Sequence, residues 1–166
     1  MNSNLIKDII YGVIIAILLS IQTTQIFAIV TVIPDMIMIV VILHSIYFGE
    51  TKGVIFGFFM GLLVDTMSGG LFGLSAFVYV FIAWFVAVYK KYIQASEIVG
   101  FIIYIVVATL LKYIFFTIFY LIFQKAGLLD INFFLKMLGE AVYTSAFAAL
   151  FFFGSPLLYK REEVEF

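Results

Sequence analysis

Three ionisable side chains, Asp65, Lys112 and Glu140, fall inside long apolar runs, where a charge persists only if it is paired, hydrated or put to use. A lysine at the centre of a membrane helix is penalised by about 2.5–3.5 kcal/mol on insertion scales. Its flexible stem can carry the ammonium along the helix toward a partner, so one mutual cluster of Asp65, Lys112 and Glu140 is within reach. Read as structure, the cluster is an ion pair that fixes how three helices pack. Read as function, it is a polar pocket for a solute or a proton relay.

A second pattern ends on the same aspartate. Gly53, Gly57, Gly61 and Asp65 are spaced four apart within Gly53-Val-Ile-Phe-Gly-Phe-Phe-Met-Gly-Leu-Leu-Val-Asp65. A step of four on an α-helix turns about 400°, so the stripe stays largely on one face. Its missing side chains leave a groove for close backbone approach, which is how helices associate where apolar burial gives no drive. The partner is either an internal helix or another protein.

His44 is the one histidine and reads as a hydrogen-bonded packing residue near the inner end of its span. With no cysteine, the chain has no disulfide and no thiolate-bound metal, and a lone histidine cannot build a multi-histidine site. No Gly-x-Ser-x-Gly, His-Glu-x-x-His or phosphate-binding loop is present, nor a pair of aspartates for metal-assisted phosphotransfer. The sequence therefore predicts no enzyme, no catalytic residue, no cofactor and no metal. A net charge of −1 without a basic tract gives no footprint for nucleic acid.

The elements that position these residues follow from composition. The chain is 66% hydrophobic with a mean hydropathy of +1.25, and charges amount to 11%, clustered between apolar stretches. About 20 helical residues cross a bilayer, so 166 residues predict an all-α integral membrane protein, a polytopic bundle of about six transmembrane helices in one domain. The spans fall at about 5–22, 35–48, 53–67, 71–89, 98–123 and 133–158, the first uncleaved, with an apolar connector over 26–33. Fusing 5–33 into one helix gives a five-span alternative. Pro34 suits a helix start, and Asp35 then complements the helix dipole in the first turn. Lys7, Lys52, Lys90, Lys91, Lys160 and Arg161 gather on one side, against Lys125 and Lys136, which predicts both termini in the cytoplasm. Tyr47, Tyr89, Tyr92 and Tyr159 fall near that interface, while the many phenylalanines read as filler between helices and lipid.

Pro34-Asp35, followed by Gly61-Leu-Leu-Val-Asp65-Thr-Met-Ser-Gly69-Gly-Leu-Phe-Gly73-Leu74, resembles MreD, the rod shape-determining membrane protein family of bacteria. The layout resembles the family over nearly the whole chain, and the motif over about 33–75. Phe72 departs from the leucine frequent before the second glycine, and Lys112 and Glu140 match no family feature. The resemblance implies a non-enzymatic scaffold of the wall-elongation complex in the bacterial cytoplasmic membrane. Such a protein binds the single-span MreC and, through it, links the MreB filament to peptidoglycan synthases. Gly53, Gly57, Gly61, Gly69 and Gly73, with Pro34 and Asp35, are then packing or partner-binding candidates, and Asp65 a polar lock. Six short helices also resemble the substrate-binding subunits of energy-coupling-factor vitamin transporters, in which Asp65, Lys112 and Glu140 would line an outward pocket.

Overall fold

The computed structural model describes residues 17, 18, 20, 22, 24, 32–68, 71–92, 98–123 and 131–154. Among them are five complete helices: α1 (Met36–Phe48), α2 (Glu50–Ser68), α3 (Leu74–Tyr89), α4 (Ile98–Ile122) and α5 (Ile131–Gly154). Ile17, Leu18, Ser20 and Gln22 are also helical. The rest of the expected first span, the chain beyond 154, Gly69 and the loop over 124–130 lie outside the described residues.

Among the described residues, three stretches are long and apolar enough to cross a membrane: Glu50–Ser68, Ile98–Ile122 and Ile131–Phe152. The other two helices are shorter. At 1.5 Å per residue α1, with 13 residues, is about 20 Å long, less than the roughly 30 Å of a hydrocarbon core. Such a helix must be shielded by its neighbours, and α1 is: it packs against all four other helices. Nine of its residues, from Met36 to Ile42 with Ser45 and Ile46, are buried. Two hairpins flank it, α2 with α3 and α4 with α5, and α3 also packs on α4.

The peripheral helices bury a narrow stripe each. On α2 the buried residues are Gly53, Gly57, Gly61 and Asp65. On α5 they are Glu140, Thr144 and Ala148, also four apart. Much of the remaining surface of both is apolar and exposed, including Phe58, Phe59, Leu63, Leu138, Val142 and Leu150.

Helix starts differ from the expected ones for local reasons. Asp35 is the N-cap of α1 rather than a first-turn residue, its carboxylate accepting from Met38 N at 3.0 Å, and Pro34 precedes that cap. Helix α2 begins at Glu50, because Gly49 alone, with φ +83°, reverses the chain after α1. Helix α3 begins at Leu74 rather than 71, because Gly73 takes φ +89°, outside the helical region.

Candidate functional site

The glycine stripe is a seam inside the chain. A Cβ added at Gly53 would meet Ser45 of α1, 2.5 Å from Oγ and 2.9 Å from Cα. At Gly57 it would lie 2.8 Å from the carbonyl oxygen of Tyr79, and at Gly61 it would collide with Cα and N of Ala76, both on α3. The groove is therefore filled by α1 and α3, which is the internal-helix alternative for Gly53, Gly57 and Gly61. Main-chain atoms sit where side chains would be, which is the close packing small residues permit in membrane helices.

Asp65 closes this seam in a way its position in an apolar run did not reveal. Its Oδ2 accepts from Gly73 N at 2.9 Å and Ala76 N at 3.3 Å, and its Oδ1 from Ser75 N at 3.0 Å. These are the orphan N–H groups that open α3, so the carboxylate ending the stripe of α2 caps the next helix. Leu74 N and Phe77 N bond to the carbonyls of Leu71 and Gly73, which completes the first turn. Asp65 does not join Lys112 and Glu140. The expected triad is corrected in that member.

Asp35 takes its place. The Lys112 ammonium lies 2.6 Å from Asp35 Oδ2 and 2.5 Å from Glu140 Oε1, so one cation on α4 ties the cap of α1 to α5. The long lysine stem makes this possible by reaching sideways from the middle of α4. Tyr79 of α3 donates its hydroxyl to both oxygens of Asp35, at 2.7 and 2.9 Å. Tyr113 of α4 bonds to Glu140 Oε2 at 2.7 Å. Gln22 donates to Asp35 Oδ1 at 3.3 Å and accepts from Ile37 N at 3.1 Å, while the backbone N–H of Asp35 donates to Thr144 Oγ1 at 3.1 Å. All five helices except α2 thus contribute to or adjoin one buried network, and the opening N–H groups of α1 are satisfied within it.

Around this network, Val32 of the connector sits against Gly139 of α5, where an added Cβ would come within 2.9 Å of it. The Lys112 ammonium also lies 5.9 Å from the ring centres of Tyr113 and Phe116. His44 is half-buried at the other end of α1, its ring stacked on Phe56 at 4.1 Å. No group of three metal-ligating side chains occurs among the described residues.

Sequence reasoning missed Tyr79, Tyr113, Gln22 and Thr144 as members. Tyr113 carried a signal, since it adjoins the lysine, and Gln22 another, as a polar residue closing the first apolar run. Tyr79 and Thr144 carried none, because a single hydroxyl in an apolar helix is unremarkable until its partner is known.

An ammonium, two carboxylates and two phenols that bond to one another leave few free donors or acceptors for a solute. The arrangement can hold helices in register and exchange a proton. Together, long apolar helices and a buried ionic tie define a helical membrane protein, with its polar groups turned inward. The family model described as rod shape-determining protein MreD matches residues 5–161, nearly the whole chain, and the protein belongs to that family. It is accordingly a membrane protein of cell-shape determination. No curated protein and no solved structure matches the chain.

Proposed function

We propose that the protein is a non-enzymatic scaffold of the lateral wall-elongation complex in the bacterial cytoplasmic membrane. It spans the membrane six times with both termini in the cytoplasm. It binds an MreC-like single-span protein and through it joins an MreB-like filament to peptidoglycan synthases. The observation that carries this reading is the family match over 5–161, together with helices that fill most of the described chain and spend their polar groups on one another. A protein so enclosed meets its partners through outward helix faces and short loops. The glycine seam is not such a face, since α1 and α3 cover it.

The vitamin-capture alternative needs Asp65, Lys112 and Glu140 to line a shared pocket. Asp65 is instead spent on α3 and Lys112 on two carboxylates, so no observation favours it. Purification of the tagged protein from native membranes in mild detergent tests the proposal. Co-recovery of a single-span protein with a large external domain, and of wall synthases, is the expected outcome. Co-recovery of paired ATPases with a coupling membrane subunit would overturn it.

A further inference from the structure

With every member ionised, Asp35, Lys112 and Glu140 would carry one uncompensated negative charge, on side chains only 1%, 14% and 11% exposed. A bare charge in such surroundings is far more costly than a neutral, hydrogen-bonded carboxyl. The groups facing Glu140 are Lys112 and Tyr113 from α4, with Asp35 at the head of α1 and Tyr79 of α3 beyond the lysine. Lys136, one turn earlier on α5, is exposed and makes no ion pair with Glu140. No second cation among the described residues balances the second carboxylate.

The bonding pattern shows where a proton fits. Asp35 takes four donor groups: the Tyr79 hydroxyl, the Lys112 ammonium, the backbone N–H of Met38 and the Gln22 amide. An acceptor so fully engaged is a carboxylate with no room for a hydrogen of its own. Glu140 has two partners, and the one on Oε2, the Tyr113 hydroxyl at 2.7 Å, can accept as readily as donate.

We infer that the cluster is a buried single-proton site, with the proton on Glu140 Oε2 directed at the Tyr113 hydroxyl while Asp35 and Lys112 remain an ion pair. The net charge of the site is then zero. Loss of that proton would leave two carboxylates sharing one ammonium, a net negative charge where α5 meets α4, so this seam is the part of the molecule that responds to proton occupancy. The inference is independent of the scaffold role.

The test is infrared spectroscopy of the full chain in detergent or lipid nanodiscs near neutral pH. The wild type should show the carbonyl stretch of a protonated carboxyl, shifted in deuterium oxide. Glu140→Gln should abolish it, Asp65→Asn should leave it, and Glu140→Asp should move its frequency. Glu140→Asp also serves if Glu140→Gln fails to give a monodisperse protein. Three results would overturn the inference: no such band in the wild type, a band that survives Glu140→Gln, or a band moved by Asp35→Glu but not by Glu140→Asp. A wild type that lacks the band and is stabilised selectively by sodium or potassium ions would assign the site to a metal cation instead.

Discussion

Asp35 and Asp65 make a controlled pair. Both are buried, at 2% and 4% exposure, and both close the N-terminus of a short apolar helix. Asp35 caps the helix that follows it and also holds an ammonium; Asp65 caps a helix across a turn and holds only backbone N–H groups. The difference follows position. Asp65 stands three residues from the end of α2, where three N–H donors and a helix dipole of about half a unit charge suffice. Asp35 lies level with Lys112 in the middle of α4, and there a carboxylate is held by a full opposite charge. One corner of the bundle is therefore held by electrostatics, the other by backbone geometry and the glycine seam beside it.

The largest effect should come from the ionic corner. Lys112→Met leaves the Asp35 charge buried without its cation and should destabilise the protein by about 3–5 kcal/mol, read as thermal unfolding in detergent. Adding Asp35→Asn should recover more than half of that loss. A double variant no better than the single one would mean that Lys112 matters for packing, not charge, and the contrast between the corners would collapse.

The geometric corner should fail differently. Gly61→Ala pushes against the main chain of Ala76 and should cost about 1–3 kcal/mol by forcing α2 and α3 apart. Ala76→Gly should not rescue it, because the obstructing atoms are Cα and N. Rescue would show that the seam is set by side chains after all. The smallest effect is expected from Asp65→Asn, about 1–2 kcal/mol, since the amide keeps one acceptor oxygen for three N–H donors. A loss as large as that of Lys112→Met would indicate that Asp65 carries a charge partner in the membrane.

What could be read in the sequence was whatever repeats along one helix. The four-residue spacing of Gly53, Gly57 and Gly61 marks a face regardless of tertiary structure, and a lysine amid leucine and isoleucine marks a tied charge. Two things were not legible. The spacing shows a close-approach face but not its occupant, which is set by the single-residue reversal at Gly49 and the turn before α3. Nor does sequence tell which aspartate meets Lys112. Asp65 had the apolar context that suggested a buried ion, whereas Asp35, beside a proline, already had a sufficient role as a cap. That a cap also serves as an ion partner depends on depth, and depth depends on how short α1 turns out to be.

The tie between Asp35 and Lys112 joins residues 77 apart in the chain, and this orders events in time. During synthesis at about 5–20 residues per second, Asp35 is made roughly 4–15 s before its cation exists. For that interval α1, too short to cross on its own, has neither Lys112 nor the helix that carries it. Helix α1 must therefore wait, at the membrane surface or beside the insertion machinery, until α4 arrives to draw its aspartate in.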